Sequence, residues 1–364
     1  MKYKISEAIL NANIPRYVDE AEHIEQSKDI LDCSAGENPY GPPPEAVSAL
    51  KQIELGNVVS YPHGNELRRA LTEYLPGDIA VNNISLCFGA MEGIFRINSA
   101  FAREAGDFVA FAPNFIDANI NAMLLGFNYV PVLMDPSTNY AMDLEKLAKA
   151  ITPECSLVYI DNPNNPTGQA VTPEELLPIL DKARDCGACV VVDEAYGDFV
   201  PLEYSATPYL SEYDNLIVLR TMSKGFGMAG VRIGYIVASK ELCAIFELLG
   251  DPYIGSMPAR ILSLAAIRGA DFLEQCNADF AKIKSALRDA LPPGLHMAKT
   301  YDSVSVCMLY HDDPDLDLQK AFAAQGVFVY SGTGFDSLGI NSVRLRLPHI
   351  NDMDRLIGAV KAIG

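Results

Sequence analysis

Between residues 84 and 237 the chain carries short apolar runs separated by turn-rich and helical segments. The runs at 84–88, 108–111, 157–160, 189–192, 216–219 and 233–237 read as strands, and 189–192 is β-branched and unbroken. That is the pattern of strands buried on both faces of a mostly parallel sheet. The segment 172–187 carries helix signals: Thr172 as N-cap, Pro173 at the first helical position, Glu175 completing a capping box and Gly187 as the stop. Pro178 within it predicts a kink. Helical period also starts at Glu45, and again around Leu67, Ala70, Leu71 and Tyr74. Beyond Gly250 the pattern changes to a long amphipathic segment, 258–291, broken near Gly269 and Asp271. Strands at 303–307, 327–330 and 343–347 then mix with helices at 316–324 and 352–363. This order predicts an α/β protein. A large domain, 40–250, has a central mostly parallel sheet between helices (α/β/α), and a smaller α+β domain is formed by 1–39 and 251–364.

With 364 residues the chain is long enough for both domains. The net charge of −19, with no basic tract to offset it, argues against nucleic acid or an anionic membrane as partner. No apolar stretch approaches the ~20 residues that span a bilayer. Residues 1–7 lack the apolar core of a signal peptide, so a cytoplasmic protein is expected. Of eight cysteines, Cys186 and Cys189 have C-x-x-C spacing. The pair is compatible with a redox or zinc role, but it has no second pair and no nearby histidine; reduced structural thiols are the other reading. No metal site is expected.

The chemistry concentrates at the ends of predicted strands. Residues 221–232, between two apolar runs, hold Thr221, Ser223, Lys224, three glycines and Arg232. A lysine on a Gly-rich loop can form a Schiff base with an aldehyde, and hydroxyls with an arginine can hold a phosphate. Those are the needs of pyridoxal 5'-phosphate (PLP); a polar turn is the plainer reading. Gly89, Ala90 and Met91 stand at a strand-to-helix turn whose free backbone N–H groups can cradle an anion. The apolar run 189–192 delivers Asp193 and Tyr196 to a strand end, where ligands of open α/β sheets bind. Asn165 lies in a dense Asn/Pro run, 161–168, after another strand. Phe115, just past the strand 108–111, suits ring stacking or core packing. The Pro/Gly-rich segment 32–44 is neither helix nor central strand and reads as a binding segment or a domain-crossing linker. If these parts converge, Lys224 moves a proton, Asp193 keeps a pyridine nitrogen protonated, Asn165 and Tyr196 bond the ring's phenolic oxygen, and Phe115 stacks on the ring. Ala90, Met91, Thr221, Ser223 and Arg232 then hold the phosphate.

These motifs carry a resemblance. The stretches Gly36 to Pro42, Ser60 to Pro62, Gly89 to Glu92, Asn162 to Gly168, Val192 to Tyr196 and Leu219 to Gly234 occur in the order of fold-type I PLP-dependent aminotransferases of class I/II. The chain is most similar to histidinol-phosphate aminotransferases and their relative, threonine-phosphate decarboxylase. The resemblance implies that Lys224 is the Schiff-base lysine and that Arg344 binds the substrate α-carboxylate, with Asn38 also at the substrate. It implies that Tyr61 reaches the cofactor phosphate of a neighbouring subunit, hence a homodimer with shared active sites. Arg346 falls on the same strand face as Arg344, with no role assigned.

Two departures bear on the substrate. The segment 329–334 lacks the arginine that grips substrate phosphate in histidinol-phosphate enzymes, and Pro348 and His349 replace a usual glycine. The expected activity is amino transfer between an L-amino acid, or an amino-alcohol phosphate such as histidinol phosphate, and a 2-oxo acid. A PLP decarboxylase, lyase or cyclase is the alternative within the cofactor class, and a non-catalytic regulator on the same fold is the alternative outside it.

Overall fold

A computed structural model describes residues 30–102 and 106–363. The N-terminal stretch 1–29, assigned above to the small domain, lies outside the described residues.

Thirteen strands form three sheets among these residues. In chain order they are β1 (Leu31–Asp32), β2 (Ile84–Cys87), β3 (Asp107–Ala112), β4 (Asn128–Leu133), β5 (Cys155–Asp161), β6 (Cys189–Asp193), β7 (Leu216–Thr221), β8 (Gly234–Ala238), β9 (Leu295–Met297), β10 (Val306–His311), β11 (Val327–Phe328), β12 (Tyr330–Ser331) and β13 (Ser342–Arg346). The large sheet runs β2-β8-β7-β6-β5-β3-β4, and only β8 runs against its neighbours. Its central strands are buried throughout, as the unbroken apolar runs require. Two apolar clusters cover its two faces. Val158, Ile160, Val190 and Val218 belong to one, and Leu157, Tyr159, Val191 and Ile217 to the other. Alternate residues of the same strands thus feed opposite layers.

The second sheet, β12-β13-β10-β9, is antiparallel and backs onto the helices Phe272–Ala290 and Met353–Lys361. The two-stranded third sheet pairs β1 with β11 in parallel.

The helix Pro173–Cys186 starts with the Thr172/Glu175 capping box, ends on a left-handed Gly187 and continues through Pro178. The amphipathic segment beyond 257 divides where expected, into helices Met257–Arg268 and Phe272–Ala290.

Three local readings differ from the structure. The strand placed at 303–307 begins at Val306 instead. The carbonyls of Tyr301 and Val304 turn inward to accept from the buried Lys284 ammonium, at 2.7 Å each, and cannot join a ladder. The run 327–330 is not one strand: β11 pairs with β1 and β12 with β13. Strand β4 is hidden from the pattern by Pro131. It lies at the sheet edge, where a missing N–H is tolerated.

Candidate active site

A cleft of about 470 Å³ opens at the carboxyl ends of the central strands, within the size range of small-molecule sites. Ala90, Met91, Phe115, Asn165, Asp193, Tyr196, Thr221, Ser223, Lys224 and Arg232 all line it. The doubly wound order explains the convergence, since consecutive strand ends deliver each group to the same edge.

Lys224 follows β7 by three residues. Its Nζ lies 5.6 Å from the centre of the Tyr196 ring. Gly36 crosses over both: a Cβ there would sit 2.5 Å from Tyr196 Oη and 2.8 Å from Lys224 Nζ. Only a residue without a side chain lets the 32–41 strap pass this close. The strap is tied to the lysine loop by Asn38, whose Nδ2 donates to the Gly225 carbonyl at 2.7 Å.

Asp193 is the last residue of β6 and is 3 % exposed. Tyr159 Oη donates to its Oδ2 at 2.7 Å and the Ala195 N–H to its Oδ1 at 2.9 Å. Burial pushes its carboxyl up to about 6, while these two donors and Lys224 pull the other way. A cationic ring nitrogen beside it would favour the ionised form.

The phosphate end is built from backbone and arginine. The helix Gly89–Phe101 begins without a side-chain cap, leaving its first N–H groups for a ligand. Thr221 Oγ1 donates to Ser223 Oγ at 2.9 Å, and Arg232 Nη1 to the same Oγ at 3.4 Å. Arg232 Nη2 reaches the Phe88 carbonyl at 3.2 Å. Gly89 adopts φ +73°, and a Cβ there would lie 2.6 Å from Arg232 Nη2. Arg232 itself has φ 58°, a left-handed conformation costing roughly 1–2 kcal/mol in a non-glycine residue. Such strain persists where surrounding structure fixes a functional group.

Arg344 lies behind Asn165 rather than on the cleft wall. Its Nη1 donates to Asn165 Oδ1 at 3.3 Å and its Nη2 to the Ser34 carbonyl. Its guanidinium sits 4.9 Å from the Tyr330 ring centre and 5.8 Å from that of Phe335. Arg346 bonds the same strap through the carbonyls of Asp32 and Ala35, which gives it a structural role.

Besides Arg344, two expected site residues lie outside the cleft lining. Asn38 spends its amide on Gly225 and on the Tyr40 N–H, so it holds the loops around the cleft rather than facing into it. Tyr61 is 69 % exposed and stacks on Tyr253 with ring centres 4.4 Å apart, away from the cleft of its own chain. Three acidic residues not singled out from the sequence do line the cleft: Glu37, Asp117 and Asp161. Asp161 ends an apolar strand as Asp193 does, and that signal was available in the sequence.

The residues present fit PLP. One cleft brings together a buried carboxylate, an amine, and an uncapped helix N-terminus beside an arginine, the donor set that a pyridinium, an aldehyde and a phosphate would take. Fold and site together define a PLP-dependent transferase of amino groups. The family model "Aminotransferase class I and II" matches residues 28–360, and the chain belongs to this family. It is 29 % identical to the histidinol-phosphate aminotransferase of Brevibacillus brevis, covering 98 % of this chain and 97 % of that one. Two solved structures share the fold. The aspartate aminotransferase of Thermus thermophilus with maleate aligns over all of both chains at a TM-score of 0.86 and 19 % identity. The histidinol-phosphate aminotransferase of Sinorhizobium meliloti in complex with pyridoxal-5'-phosphate aligns over 99 % of this chain and 97 % of that one, at 0.80 and 23 %. The chain is a PLP-dependent aminotransferase of the histidinol-phosphate aminotransferase type. Among the described residues, no helix is long and apolar enough to cross a membrane.

Proposed function

We propose that this aminotransferase moves the amino group of an L-amino acid to a 2-oxo acid, with Lys224 as the proton carrier and Arg344 as the carboxylate anchor. The observation that carries the reading is the meeting of Lys224, Asp193 and the Gly89/Arg232 cradle in one cleft, with the Arg344 guanidinium just behind Asn165. Bound PLP supplies an aldehyde and an electron-withdrawing ring. Lys224 Nζ would take and return a proton at the substrate's reacting carbon. Asp193 would supply the negative charge that a pyridinium needs. Tyr196 and Asn165 would offer hydrogen bonds to the cofactor's hydroxyl, and Phe115 an aromatic face for stacking. Thr221, Ser223, Arg232 and the N–H groups of Ala90 and Met91 would hold the phosphate.

A carboxylate-bearing donor is favoured because the segment 329–334, whose Tyr330 ring packs on the Arg344 guanidinium, carries no arginine to grip a substrate phosphate. The second reading, an amino-alcohol phosphate, is favoured by the relatives' names. A donor panel containing histidinol phosphate separates them: turnover with L-amino acids and none with histidinol phosphate is expected, and the converse overturns the choice of donor. Lys224→Ala should abolish transfer; undiminished transamination would refute the mechanism.

The same reading includes a homodimer with shared sites, working in the cytoplasm. Val58, Val59, Tyr61, Leu248, Leu249 and Tyr253 are exposed apolar side chains, and Tyr61 stacks on Tyr253; exposed apolar groups of this kind suit cover by a partner. Tyr61 on this face would extend to the partner's phosphate cradle. Eight unpaired thiols, including Cys186 and Cys189, suit a reducing compartment. Sedimentation of the holoenzyme tests the dimer: a monomer that turns over at full rate would exclude shared sites.

A further inference from the structure

Resting on the PLP reading above, we infer that Asp161 is a positioning residue of the active site, whose carboxylate fixes Phe115 and Asn165 relative to each other around the cofactor ring. Asp161 and Asp193 end neighbouring strands and are partners in the β5–β6 register. Both line the cleft and both are almost fully buried, at 4 % and 3 % exposure. Two adjacent buried carboxylates are costly, and the cofactor's ring nitrogen accounts for only one. The other needs its own reason.

Its hydrogen bonds supply one. Asp161 Oδ2 accepts from the backbone N–H of Phe115 at 3.1 Å and from that of Asn165 at 2.9 Å. Its Oδ1 accepts from Asn164 Nδ2 at 2.9 Å. The Asn165 bond alone would be an ordinary turn, since it closes a four-residue loop. The Phe115 bond is different: it spans 46 residues and joins the β3 connection to the β5 connection. The two residues meeting on one oxygen are the ring's face partner and its phenolic-oxygen partner. An acceptor-only group is required there, because three N–H donors converge on it. An asparagine at 161 keeps the shape but turns an NH₂ toward one of those donors.

The inference predicts coupling rather than simple damage. Apoprotein is titrated with PLP, following the bound cofactor's absorbance, for wild type, Asp161→Asn, Asn165→Ala and the double variant. Asp161→Asn should weaken PLP binding about tenfold in the wild-type background and less than threefold when Asn165 is already Ala, because its effect runs through Asn165. The apoprotein of Asp161→Asn should unfold within a few degrees of wild type, as a near-isosteric change at a satisfied site allows. Equal losses in both backgrounds, or wild-type affinity in Asp161→Asn, would overturn the inference. So would an Asp161→Asn protein that does not fold, since the carboxylate would then serve the fold alone. A wild-type protein that takes up no PLP would instead refute the PLP reading itself.

Discussion

Gly36→Ala offers a sharp test of how the strap meets the catalytic amine. Gly36 is buried but has no positive φ, so alanine suits the backbone. The added methyl would lie 2.5 Å from Tyr196 Oη and 2.8 Å from Lys224 Nζ, both inside any real contact distance. The lysine tip can swing aside. The Tyr196 ring is held against Phe199, with ring centres 6.0 Å apart, and can yield only by moving the strap or its own ring. A displacement on the order of half an ångström to one ångström follows, and misplacement on that scale costs up to about a hundredfold in rate. Overpacking costs about 1–3 kcal/mol, partly offset by the roughly 0.4–1 kcal/mol gained when alanine restricts the unfolded chain. The net loss of about 0–2.6 kcal/mol lowers the melting temperature by only a few degrees. Steady-state kinetics on the best donor, beside thermal unfolding of the same preparation, should therefore show a large fall in kcat with a small change in stability. Activity within threefold of wild type, with a matching melting curve, would mean that the strap does not constrain Lys224 and Tyr196.

Four further outcomes follow from the same geometry. PLP affinity should fall as pH drops through about 6, because protonating Asp193 removes the counter-charge of the ring nitrogen, and Asp193→Asn should bind weakly with no such step; titration of apoprotein at pH 5 to 8 checks both. Arg220→Met should cost about 3–5 kcal/mol in unfolding experiments, since Arg220 pairs with Glu194 at 2.8 Å and Asp198 at 2.6 Å in a site where all three are buried. Lys284→Met should cost about 2–4 kcal/mol by denaturant titration, as it removes the ammonium that now donates to the carbonyls of Tyr301, Val304 and Val306. Arg344→Gln should raise KM for the amino donor by about tenfold to a hundredfold, with melting temperature as the control for its lost bonds to Asn165 and Ser34.

The legible part of the site was the part made by strand ends. Asp193, Lys224 and Asn165 each follow an apolar run, so their direction toward one edge follows from the parallel order of β5, β6 and β7. The cradle at Gly89 was legible for the same reason. Asp161 shared that signal but stood inside an Asn/Pro run whose turn chemistry masked it. The bonds of Asn38 were not legible, because its motif tells only that it lies near the site. That its amide points to Gly225, 187 residues away, depends on how the strap threads over the lysine loop. Strand β4 and the late start of β10 were illegible in a more ordinary way. A proline at a sheet edge, and a buried lysine drawing carbonyls out of a ladder, are tertiary facts that override local pattern.

The strap shows how such tertiary facts assemble a site. Past the end of β1 at Asp32, residues 33–41 make few bonds among themselves, and the Pro/Gly content explains why no regular element forms there. The strap's carbonyls instead receive two buried arginines: Arg346 takes those of Asp32 and Ala35, and Arg344 that of Ser34. A guanidinium buried without acceptors would be costly, and an irregular buried backbone without donors equally so. Each satisfies the other, so the path of the strap and the burial of the arginines are fixed together. Because Arg344 also bonds Asn165 and Gly36 passes close over Lys224 and Tyr196, one short segment links the Arg344 guanidinium to the Lys224 amine. The small sheet, which carries both arginines, thereby sets the geometry of a cleft built almost entirely on the large one.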